Sequence, residues 1–170
     1  MKIVVVGLPL FAQRLATALR EYAPENKVIH LDTYYKKTDQ LKALWHVPRA
    51  DCLVSINGSL SRSRVFDLAF KYKVPLIMNW VGTDVLKAIQ AYKEERHLQH
   101  YIDKAIHFCE VDWIKAELTE IAIDADVVNF AFFKQTFELK KAKSKELTVL
   151  SYISSKRSDF YGCLLYTSRR

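Results

Sequence analysis

Short apolar runs alternate with amphipathic stretches along the chain, the pattern of a parallel sheet wrapped by helices. The runs are residues 2–6 (KIVVV), 27–31 (KVIHL), 52–56 (CLVSI), 74–78 (VPLIM), 106–109 (IHFC) and 127–130 (VVNF). Several are rich in β-branched residues and most lack polar alternation, as strands buried on both faces require. Between them Phe11, Leu15, Ala18 and Tyr22 recur on one helical face. So do Val65, Leu68, Ala69 and Tyr72, and then Leu98, Tyr101, Ile102 and Ala105, each set spaced to pack on a sheet. Residues 32–49 are less regular and predict a short helix near 38–44 within a long loop. The expected fold is α/β, a parallel sheet of about six strands with helices on both faces.

Residues 1–133 hold this alternation. The lysine-rich stretch 134–146 (KQTFELKKAKSKE) reads as a basic linker, and apolar density returns at 146–153 (ELTVLSYI), the opening strand of another unit. Only 17 residues follow Ile153, too few to bury a core. Residues 147–162 are therefore expected to begin a second domain that is cut short. The last residues, 163–170 (CLLYTSRR), resemble a peptide translated from sequencing-adapter read-through and are expected to be an artefactual tail, the alternative being a natural one.

Charge changes the picture only at that end. The chain carries 26 Lys and Arg against 19 Asp and Glu; nine and three of these fall in residues 134–170, leaving seventeen and sixteen in 1–133. The first domain is close to neutral. Its lack of a basic stripe with interleaved aromatics argues against nucleic acid, whereas the basic linker suits either solvent or peripheral contact with an anionic membrane surface. Three separated cysteines, Cys52, Cys109 and Cys163, suggest neither a zinc ribbon nor a disulfide framework. No run reaches the length of a spanning helix and no cleavage signal follows the first strand. A cytoplasmic setting is expected. The five histidines lack metal-ligand spacing, so no metal site is expected.

In an open parallel sheet, turns leaving the carboxyl ends of strands line the ligand crevice. Four such turns stand out: 7–10 (GLPL), 57–59 (NGS), 79–84 (NWVGTD) and 110–112 (EVD). Gly7 lacks the two further glycines of a dinucleotide fingerprint; it is either a structural turn residue or a point of close backbone approach to a ligand. Asp32, after the second strand, stands where a ribose-binding carboxylate would, or simply forms a turn. Gly58 with Ser59 and Ser61 reads as a turn with a helix N-cap, or as a set of free amide donors beside Arg62 and Arg64. Thr83 is a suitable N-cap and Asp84 suits the first turn of a helix. Capping alone leaves Trp80 and Gly82 unexplained. An exposed indole beside a carboxylate and a glycine would make a sugar platform.

The strings NWVGTDVLKAI (79–89), HFCEVDWIKAELTEIAIDADVVNFA (107–131) and VLSYISSKRSDFYG (149–162) resemble the amino-terminal half of family 4-like glycosyltransferases of the GT-B architecture. The resemblance covers nearly all of residues 1–162. It implies a Rossmann-like acceptor-side domain, with transfer of a hexosyl group from a nucleotide-sugar donor to a saccharide or lipid-linked hydroxyl. It further implies no obligatory metal and no cofactor bound by this domain. The donor-gripping domain and its paired glutamates are missing from the sequence, so the chain as it stands is expected to lack turnover. Related sequences often place His before the Trp; Asn79 stands there, and no general base is assigned.

The expected cleft residues are Gly7, Gly58, Trp80, Gly82, Thr83, Asp84 and Glu110, with Asp84 the best candidate for a catalytic or sugar-orienting group and equally a structural brace. The alternatives are an NAD(P)-dependent oxidoreductase, favoured by Asp32 and opposed by the missing glycines, and a non-catalytic sugar-binding module.

Overall fold

The computed structural model describes residues 1–128. Six strands, β1 (Lys2–Gly7), β2 (Lys27–His30), β3 (Cys52–Ile56), β4 (Leu76–Trp80), β5 (Ile106–Cys109) and β6 (Ala125–Val127), form one sheet. Its order is β2-β1-β3-β4-β5-β6, with every pairing parallel. The helices between them are α1 (Pro9–Tyr22), α2 (Lys37–His46), α3 (Arg64–Lys71), α4 (Thr83–Lys93), α5 (Gln99–Lys104) and α6 (Asp112–Thr119), with a 3-10 turn at Val47–Arg49. This is a Rossmann-like α/β domain.

Alternate residues of the strands feed two cores. Val5, Val54 and Ile56 pack with Ala12, Leu15 and Ala16 of α1 on one face. Val4, Val6, Leu53, Met78 and Trp80 face the other way, against residues of α2 through α6. Both faces of the sheet are therefore covered, which is why its central strands β1, β3 and β4 read as largely apolar runs. Each buried Val, Leu, Ile or Met among these residues contributes roughly 1.5–3 kcal/mol.

Three sequence expectations shift. β4 begins two residues later and ends at Trp80, because Pro75 has no N–H for the ladder; Asn79 and Trp80 are strand residues, not turn residues. β6 occupies Ala125–Val127 rather than 127–130, since α6 is short and the chain returns to the sheet after a turn in which Ala122 takes a positive φ of 59°. Residues 129 and 130 lie outside the described residues, as do the basic linker, the second-domain strand and the tail. On α1 the buried stripe is Ala12, Leu15 and Ala16, while Phe11 and Tyr22 are exposed; small residues let the helix sit close to the strands. Among the described residues no helix is long and apolar enough to cross a membrane.

Candidate functional site

The chain passes from β1 outward to β2 and then returns across β1 to β3. Connections leaving on opposite sides open a crevice beyond the carboxyl ends of β1 and β3. A cavity of about 850 Å³ lies there, lined by Gly7 at the end of β1, by Thr33, Tyr34 and Lys37 after β2, and by Asn57, Ser59, Ser63 and Arg64 after β3. Phe66, Leu41 and Leu44 supply apolar wall. Asn57 Nδ2 donates to the Tyr34 hydroxyl at 3.1 Å, joining the loop after β2 to the loop after β3.

Backbone geometry at this rim is tight. Gly7 has φ 108°, and a Cβ on it would lie 2.0 Å from the Ile56 carbonyl oxygen, so no larger residue fits where β1 ends against β3. Asn57 takes φ 117°, a conformation costing about 1–3 kcal/mol in a non-glycine residue. It is held by its N–H donating to the Asn79 carbonyl at 3.0 Å and by the Ser55 hydroxyl donating to its own carbonyl at 2.9 Å.

Behind the rim stands a second assembly. Asp84, 3% exposed, accepts the backbone N–H of Gly58 at 2.7 Å, of Gly82 at 2.8 Å and of Val81 at 3.1 Å. One carboxylate thus ties the loop after β3 to the turn after β4. Burial pushes its pKa up, and the four amide N–H groups aimed at it, its own included, oppose that rise. Its charge in turn raises the Glu110 carboxyl and the Tyr34 hydroxyl, in both cases as the second cause after burial. Trp80 is 0% exposed. Its Nε1–H donates to His107 Nδ1 at 3.1 Å, and His107 Nε2 lies 3.1 Å from the Ile102 carbonyl. Because an indole N–H can only donate, Nδ1 must accept and the imidazole proton sits on Nε2.

The structure therefore brings the residues singled out in the sequence to one edge of the sheet but gives them different tasks. Gly7 lines the cavity. Gly58, Gly82 and Asp84 form the brace; Glu110 shares its electrostatics. Thr83 is exposed and is the first helical residue of α4, with Gly82 as N-cap and no side-chain cap bond. The expectation of an exposed Trp80 platform is overturned: the ring is core, and its face packs against Gly58. The helix expected to follow Ser59 and Ser61 begins only at Arg64, with Ser63 as N-cap. Asp32 accepts the Tyr35 amide at 3.1 Å, an ordinary turn role.

Tyr34, Lys37 and Ser63 are absent from the sequence-based set. The signal for the first two was present: YYKKTDQ leaves the carboxyl end of a strand as the other selected turns do, and its polar and aromatic content marks it equally well. Compared with known proteins, the chain matches no family model, no curated protein and no solved structure.

Proposed function

We propose that residues 1–133 form the acceptor-side domain of a GT-B glycosyltransferase, taking a saccharide or lipid-linked hydroxyl acceptor in the cavity beyond β1 and β3. The observation that carries the reading is the composition of that cavity: hydroxyl and amide groups of Thr33, Tyr34, Asn57, Ser59 and Ser63 converge over an apolar wall. A sugar presents hydroxyls at its edge and apolar C–H faces, and needs such a mixture. The resemblance of residues 79–89 and 107–131 to family 4-like enzymes supports the same reading. Trp80, Gly82 and Asp84 of that motif serve by holding the rim in place. A nucleotide-sugar donor would be the co-substrate, bound largely by a second domain, with peripheral membrane contact through residues 134–146 as a further part of the proposal.

Amide-resolved NMR titration of the chain with glucose, mannose and galactose tests it. Shifts concentrated at Gly7, Asn57, Ser59 and Ser63 are expected, at millimolar dissociation constants. Saturable shifts at the same amides with reduced nicotinamide dinucleotide, and none with sugars, would favour the oxidoreductase reading. Attachment of a donor domain and assay of transfer separates an enzyme from a sugar-binding module.

A further inference from the structure

The same cavity carries a charge pattern that a neutral sugar does not explain. Lys37 and Arg64 both line it. Neither forms an ion pair or side-chain hydrogen bond among the described residues, and no Asp or Glu is among the described residues of its lining. The neighbouring cation Arg62, by contrast, is paired with Asp67 at 3.3 Å. A concave, partly apolar site whose lining, among the described residues, holds two cations and no carboxylate carries a net positive field at its wall. Lys37 and Arg64 are also the first residues of α2 and α3, whose N-caps bear no side-chain hydrogen bond; both helix dipoles add field of the same sign, offset in part by Asp39 and Asp67 in the same first turns, which are themselves paired with Lys42 and Arg62.

We propose that the ligand of this cavity bears a phosphate monoester, gripped by Lys37 and Arg64 while its hydroxyls meet Tyr34, Asn57 and Ser59. The inference deepens the acceptor reading above and rests on it for the sugar part only. Arg64 supplies a planar fork suited to two phosphate oxygens, and Lys37 a mobile point charge. Two sources share the monoester, a soluble sugar phosphate and the headgroup of phosphatidate. Leu41 and Leu44 line the cavity yet remain 67% and 58% exposed, with Trp45 beside them at 62%, so the mouth borders an apolar surface able to meet a lipid tail.

The test titrates the labelled chain with glucose, mannose and galactose, with their 1- and 6-phosphates, and with inorganic phosphate. Sugar phosphates are expected to bind at least tenfold more tightly than the neutral sugars, with shifts at Lys37, Ser63 and Arg64 and affinity falling as salt rises. Lys37→Gln and Arg64→Gln should each cost about tenfold against phosphates and nothing against neutral sugars; both side chains are exposed, so folding should survive. Equal binding of neutral and phosphorylated sugars, unaffected by either variant, overturns the phosphate and leaves the sugar reading intact. Inorganic phosphate binding as tightly as any sugar phosphate keeps the phosphate and overturns the sugar reading; no binding of any probe overturns both. Cosedimentation with phosphatidylcholine vesicles containing phosphatidate, beyond that with phosphatidylcholine alone and lost in Arg64→Gln, assigns the phosphate to a lipid. Equal cosedimentation assigns it to a soluble ligand.

Discussion

Gly58 lies so close to the indole face of Trp80 that a methyl group on it would stand 2.3 Å from Cδ2 and Cε3. The ring cannot retreat, since it is fully buried and fixed through Nε1 to His107. Gly58→Ala should therefore cost about 1–3 kcal/mol through overpacking. Gly82→Ala should cost a similar 1–3 kcal/mol for a different reason: φ is 126° and nothing lies within 4 Å of the added carbon. Combining each variant with Trp80→Leu distinguishes the two. In denaturant unfolding the loss from Gly58→Ala should be relieved by about 1 kcal/mol or more, as expected for groups in contact, whereas the loss from Gly82→Ala should remain.

Asp84 should behave as a brace and not as a helix cap. A side-chain cap is worth about 1 kcal/mol, but this carboxylate accepts from three backbone donors on two loops, and each hydrogen bond to a charged group contributes roughly 1.5–3 kcal/mol. Asparagine keeps one acceptor oxygen and turns an NH₂ toward the other donors. Asp84→Asn is expected to lose about 2–4 kcal/mol, with faster hydrogen exchange at Gly58 and Gly82. A loss near 1 kcal/mol with unchanged exchange at Gly58 would reduce Asp84 to capping.

What the sequence made legible follows from the length scale of each interaction. Strands β1 and β3 were readable because burial on both faces leaves a nearly uninterrupted apolar run. The edge of β4 was not, since whether Trp80 ends a strand or opens a turn depends on Gly58, 22 positions earlier, and His107, 27 positions later. The motif around Asp84 was recognised as important, yet its partner Gly58 lies 26 residues away, so local sequence gave only the capping half of its role. Lys37 and Arg64 open separate helices, 27 positions apart, and come to one cavity only in the folded chain.

His107 gives the buried assembly a pH dependence. Burial holds its pKa below the usual 6.5, opposed by the Ile102 and Tyr101 backbone. Protonation at Nδ1 would also set a second N–H against that of Trp80. The unfolded chain thus takes up the proton first, so the contribution is fully present above about pH 6.5 and is lost as pH falls from there toward the folded value. His30 and His46 are lowered in the same direction by burial, while Asp84 and Glu110 are raised and act oppositely. Comparison with His107→Gln isolates the one group. The stability advantage of the native chain over this variant should shrink between pH 7 and pH 5, followed by thermal unfolding monitored through tryptophan emission. A constant advantage would mean that His107 does not titrate on unfolding in this range.

Asn79 presents the opposite case, a buried polar group with no visible compensation. It is 0% exposed, and neither Oδ1 nor Nδ2 has a hydrogen-bond partner among the described residues. Alternation along β4 turns it away from Met78 and Trp80, to the side where Ile77 and Val81 pack. An uncompensated amide costs about 1–3 kcal/mol, so Asn79→Leu, of similar volume, should raise stability by roughly 1–2 kcal/mol. Its contribution to the rim is made by the main chain, whose carbonyl accepts the Asn57 N–H, and leucine retains that bond. Sugar-induced shifts at Asn57 and Ser59 should therefore be the same in Asn79→Leu as in the native chain. A stabilised variant that no longer binds sugar would instead show that the amide is kept, at a cost in stability, for the ligand.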